Sequence, residues 1–211
     1  MLSEQTAAMD LHREAEAHLR TIRSLMERAT VYRAISAPTA LVAAVLGIGC
    51  GLVPASALPA GGAGWDFKLL WLGALVLTLA ANAWFIRRSA HRRGDRFVSP
   101  GMRLAAHAVA PPALCGLLAT VVLEPARLPA VWMACYGLAL LATAPFAPRA
   151  IVRLGWSFLL LGLAFVLDAP GEGLSPQWKM AGAFGGIHLA YALSTWRQET
   201  AEEPPAVPGP V

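Results

Sequence analysis

Six polar side chains stand at matching positions in the apolar blocks of the chain: Ser36, Asn82, His107, Thr143, Ser157 and Ser194. Each lies a few residues from arginine, within about 4–10 Å of it along a helix that rises 1.5 Å per residue. Polar groups are costly in hydrocarbon, so six at one depth point to a hydrated vestibule or to a layer of interhelical hydrogen bonds. A hydroxyl can also return to a carbonyl of its own helix, which needs neither.

Deeper along the last apolar block stands His188, about 13 Å from Arg197 if the segment is helical. Tyr191 and Thr195 share its helical face, and His188 with Tyr191 forms the candidate midplane site. The adjacent ridge Gly182, Gly186, Ala190 repeats small residues every four positions, a spacing that lets helices approach closely. In the third block Pro111 and Pro112 remove two amide donors and leave carbonyls in need of partners. His188 could therefore line a binding site beside a broken helix. The competing expectation is a core histidine bonded to one of the carbonyls those prolines free.

Sharper motifs are absent. The chain has no glycine-rich phosphate loop, paired Cys-x-x-Cys, His-Glu-x-x-His or serine elbow. Glu14 and His18 share a helical face, but such a pair alone reads as a solvated surface. Cys50, Cys115 and Cys135 are odd in number and lie in or beside apolar blocks, where thiols serve as small packing groups. The expectation is a non-enzyme without metal or cofactor. No Asp, Glu, Lys or Arg falls in the middle of an apolar block, which argues against proton or sodium coupling.

The elements that must position these groups are legible from composition. Of 211 residues 56% are hydrophobic and 14% charged, against about 25% charged in a soluble domain. The apolar residues gather in six blocks, near 34–53, 67–86, 104–123, 130–146, 151–167 and 178–196. At helical rise these match a hydrocarbon core about 30 Å thick. The fold expected is all-α: a polytopic bundle of six transmembrane helices. Trp65, Trp132, Trp156 and Trp178 sit near block starts and Trp84 and Trp196 near block ends, where amphipathic rings favour the headgroup layer.

Fourteen of the 17 Lys and Arg residues fall on one side of such a bundle, leaving Lys68, Arg127 and Lys179 on the other. The positive-inside rule then puts both termini in the cytoplasm. It also accounts for the net charge of +4 without nucleic acid. "VPASALPAGG" offers an Ala-Ser-Ala, but more than thirty residues of mixed charge precede the first block, unlike a signal peptide's short basic region. Alanine and arginine richness with two lysines fits a GC-rich bacterial genome, hence the inner membrane.

Residues 1–33 form a segment of their own. Leu11, Ala15, His18, Ile22, Leu25, Ala29 and Tyr32 alternate steps of four and three, a coiled-coil-like seam. Glu16 with Arg20 and Arg23 with Glu27 support a helix on the other face. The sequence predicts one nearly continuous helix from Glu4 to Val53, kinked at Pro38. Five arginines balance five acids here, so the seam is expected to meet protein, another copy or a cytoplasmic partner, rather than lipid. Residues 197–211 read as a disordered, proline-rich tail.

A gapless match of "WLGALVLTLAANAWFIRR" to "WMACYGLALLATAPFAPR" hints that the helical hairpins are parallel repeats. Two functions fit this reading: a non-catalytic protein recruiting a partner through its N-terminal helix, or a small-solute transporter or channel using a vestibule with Asn82, His107 and His188.

Overall fold

In a computed structural model the described residues are 13–22, 37–54, 64–93, 100–167 and 173–201, and all regular structure among them is helical. The helices are α1 (residues 13–22), α2 (Ala37–Leu52), α3 (Trp65–Arg93), α4 (Pro100–Val122), α5 (Leu128–Ala142) and α6 (Arg149–Val166). A last helix runs from α7 (Pro176–Met180) through a π-helical stretch (Ala181–Ile187) into α8 (His188–Ala201).

Three helices, in α3, α4 and α6, are long and apolar enough to cross a membrane, and α2 and α5 are shorter apolar helices. Leu75, Val76, Leu77 and Leu79 on α3, like Leu114, Leu117, Leu118 and Val121 on α4, are exposed. Water would not tolerate patches of that extent, whereas lipid covers them at no cost. These features mark a multi-pass membrane protein.

Local chemistry sets the helix bounds, several of which differ from the apolar blocks. α5 stops at Ala142 rather than running to residue 146, because Pro145 disfavours helical backbone in the residue before it. A turn closed by Phe146 N–H and Ala147 N–H on the Thr143 carbonyl leads to Pro148, the residue before α6. α7 starts at Pro176 rather than Trp178, since the Ser175 hydroxyl accepts from Trp178 N–H at 3.4 Å as an N-cap. α3 stays helical through Arg93, two turns past its apolar block. Pro111 and Pro112 sit inside a continuous α4 rather than breaking it. Pro38 is the second residue of the described α2, and whether α1 continues into α2 lies outside the described residues.

Two groups of helices make the bundle. α5 and α6 pair along their length, with α4 against α5. α2 lies against the π-helical stretch and α8 on one side and α3 on the other. The groups meet where α5 touches α7, where α6 touches the π-helical stretch, and where Phe67 of α3 stacks on Trp132 of α5 at 6.0 Å. Met133 and Phe158 are fully buried along the α5–α6 pair, and so are Leu128 and Ile151 in the first turns of the two helices.

Both close pairings depend on glycine. A Cβ on Gly162 would lie 2.6 Å from Ala134 N and 2.8 Å from Ala130 O, and one on Gly137 would lie 2.5 Å from Leu159 N. α5 and α6 therefore touch backbone to backbone. A Cβ on Gly47 of α2 would likewise come within 2.7 Å of Gly185 N. In lipid no hydrophobic effect drives helices together, so dispersion across such contacts has to do it. Gly162→Val should destabilise the bundle by about 1–3 kcal/mol, read as a lower melting temperature in detergent. Gly73→Val, at a site with nothing within 4 Å, should leave it unchanged.

Candidate functional site

The centre of the bundle holds one connected polar group, built on the π-helical stretch. In an α-helix the His188 amide would bond the Phe184 carbonyl, but here it turns to Gly185. The imidazole of the same residue takes the Phe184 oxygen instead, Nδ1 lying 2.9 Å from it. A carbonyl only accepts, so Nδ1 carries the proton in the neutral ring and Nε2 is left as an acceptor. Tyr136 of α5 donates its hydroxyl to Nε2 at 2.9 Å.

Aromatic rings close around this chain of bonds. Tyr136 meets Phe158 edge-on at 4.7 Å, Phe158 lies 4.9 Å from Phe184, and His188 lies 5.2 Å from Phe158. His188 is 5% exposed, with Tyr191 and Thr195 buried beside it on α8. Both imidazole nitrogens are occupied. The ring can act as base, acid or ligand only by giving up one of its bonds, so what the arrangement does as it stands is join α5 to α8.

The neighbours of His188 differ from those the sequence pointed to. Its carbonyl partner comes from Phe184 on its own helix, not from Pro111 or Pro112. α4 packs on α5 and is no significant neighbour of α8, so its prolines are not part of this site. Close contact on the last helix is made by Ala181 and Gly185, the former against Gly51 and the latter against Ile48. Gly182 and Gly186 face open space, and Ala190 is exposed. Two adjacent ridges of small residues look alike in sequence, and the one continuous with His188, Ala192 and Thr195 is buried.

Of the six polar residues near the arginines, the five described are dispersed. Ser157 Oγ donates to the Arg153 carbonyl at 3.0 Å, Thr143 Oγ1 to Leu140 at 2.7 Å and Ser194 Oγ to Tyr191 at 2.8 Å, each within its own helix. Asn82 Oδ1 accepts from Thr39 of α2 at 3.2 Å. His107 is exposed on α4, and Ser36 lies outside the described residues. None of the five described side chains bonds another of the set.

Sequence reasoning missed three anchoring groups. Tyr136 passed as one aromatic among many, with no spacing signal to tie it to a residue 52 positions later. Gln177 fell just outside the block that began at Trp178. Its side chain accepts from Trp71 Nε1 at 3.3 Å and donates to the Cys50 carbonyl at 2.9 Å, joining α7 to α3 and α2. Thr120 accepts from Trp132 Nε1 at 2.9 Å, which fastens α4 to α5. Among the described residues no group of three His, Cys, Asp or Glu is placed to hold a metal ion.

No model of a known protein family, no characterised protein and no solved structure matches the chain.

Tyr136→Phe removes the donor and strands the imidazole nitrogen, while His188→Leu removes the acceptor. Each should lower the melting temperature in detergent. The double variant should be less destabilised than the sum of the two, by a coupling of about 0.6–1.7 kcal/mol. Additive losses would show that the bond contributes nothing to the bundle.

Proposed function

We propose that this is a non-catalytic, six-span membrane protein that recruits a protein partner through its N-terminal helix. The observation that carries the reading is α1. All ten of its described residues are exposed, including Leu19 at 66% and Ile22 at 53%. Glu16 and Arg20 pair at 3.1 Å, an i,i+4 ion pair that supports the helix from within. An exposed helix with apolar residues and a balanced set of charges fits a protein groove better than an anionic lipid surface. On the partner face Ala15, His18 and Ile22 are exposed, while Leu11, Leu25, Ala29 and Tyr32 lie outside the described residues.

The six spans are α2, α3, α4, α5, α6 and the α7–α8 helix, with both termini on the arginine-rich, cytoplasmic side of a bacterial inner membrane. The partner is a cytoplasmic protein or a second copy of the chain. A transporter or channel has less support, because Asn82, His107 and His188 point to three different settings: a bond to Thr39, an exposed face of α4 and an aromatic core.

Two outcomes check this reading. Cysteine introduced at Ala60 should react with an impermeant maleimide from outside the cell, and cysteine at Gly94 should not. A photocrosslinking amino acid at Ile22 should yield one discrete protein adduct, at least about tenfold weaker when Leu19 is changed to Ser, as expected for an apolar anchor. Labelling of Gly94 instead would reverse the topology. No adduct, or one indifferent to Leu19, would remove the recruitment reading.

A further inference from the structure

At the basic end of α3 Ala90 is buried while the charged side chains around it face outward, and the composition is one-sided. Between Leu69 and Leu123 the sequence holds six arginines and one acid, Asp95. Four of the six, Arg87, Arg88, Arg92 and Arg93, extend α3 as a continuous helix to its last residue. Arg87, Arg88, His91 and Arg92 are all exposed. Arg88 and Arg92 stand four apart, where like charges repel unless a counter-charge sits between them.

Depth identifies the counter-charge. The uncharged run from Leu69 to Ile86 spans about 27 Å, close to the hydrocarbon thickness. The following seven residues add about 10 Å, which carries their guanidinium groups through the headgroup layer rather than far into water. Trp84, itself 52% exposed, marks that boundary, and Arg88 Cζ lies 5.1 Å from its ring centre. The ring holds Arg88 in an aromatic contact that leaves its forked donors free to turn outward.

We propose that the end of α3 is a binding surface for anionic phospholipid headgroups, with Arg87, Arg88 and Arg92 engaging the phosphates and Trp84 fixing the depth. Guanidinium matches phosphate oxygens two at a time, and basic residues at an anionic membrane surface add affinity one by one. A nucleic acid would have to reach the same groups past the headgroups that already surround them.

The proposal rests on α3 crossing the bilayer, and the test separates the two. The full chain, purified and delipidated in detergent, is first mixed with phosphatidylcholine vesicles after detergent removal. It should float with them, and failure to float would sink the membrane placement itself.

Native mass spectrometry then counts adducts with equal amounts of phosphatidylglycerol and phosphatidylcholine. Phosphatidylglycerol adducts should dominate, and affinity for that lipid should fall about fivefold for each arginine removed in Arg88→Gln and in Arg87→Gln/Arg88→Gln/Arg92→Gln. Arg149→Gln/Arg153→Gln, exposed on α6, should leave the affinity of the α3 surface unchanged and so serves as the control. Equal binding of both lipids, or a triple variant that binds as the parent does, overturns the proposal. So does arginine-dependent binding of a short oligonucleotide without any of phosphatidylglycerol. The single Arg88→Gln change keeps the test decisive if the triple variant proves unstable.

Discussion

A polar group at the centre of a lipid-embedded bundle has no water to turn to, so its partner must be supplied by another helix or by its own. His188 meets that constraint twice over. Its Nδ1–H satisfies the Phe184 carbonyl, which the π-helical stretch has separated from the His188 amide. Its Nε2 accepts from Tyr136 across the seam between the two helix groups. The irregular backbone and the buried imidazole thus depend on each other. An α-helical turn would give Phe184 its amide partner and leave the imidazole nitrogen seeking another acceptor, and an apolar side chain at 188 would leave Tyr136 without one.

Around that bond the packing is of two kinds. The α5–α6 pair and the α2–π pair approach backbone to backbone at Gly137, Gly162 and Gly47, gaining contact atoms where a side chain would have held them apart. The seam between the groups is instead filled with rings, Phe67 on Trp132 at one end and Tyr136, Phe158 and Phe184 in the middle. Glycine contacts are short-ranged and exacting in shape, while aromatic rings tolerate small offsets. Side-chain hydrogen bonds from Trp71, Gln177 and Trp132 tie down the end that carries Lys68, Arg127 and Lys179, where the two lysines lie against Trp65 and Phe165.

Hydropathy made the apolar helices readable from sequence, and those in α3, α4 and α6 carry in their composition a length that can cross hydrocarbon. That signal is indifferent to which face of a helix meets which neighbour. The ridge Gly182, Gly186, Ala190 and the ridge Ala181, Gly185, His188 are equally small at their starts, and only the position of α2 decides between them. Aligning Trp71 with Trp132 in sequence does not say that both rings gather around Phe67. His188 stood out as a lone polar residue, whereas its partner Tyr136 did not, since pairing across 52 residues leaves no local pattern. Depth alone grouped Ser157, Thr143 and Ser194, and depth does not say that each hydroxyl will bond its own helix.

The π-helical stretch follows α2 only after α3, α4, α5 and α6, yet it packs against α2, which is therefore synthesised before its partner exists. The surface of α2 around Gly47 and Gly51 therefore waits, facing lipid, through the synthesis of four more helices. Its smooth, nearly side-chain-free profile is easily vacated by acyl chains, which adapt to any shape and hold none. Late arrival thus carries no large barrier of displacement. The order of synthesis places the contacts that unite α2 with the π-helical stretch after α3 to α6 are made, as a clasp that closes late in assembly.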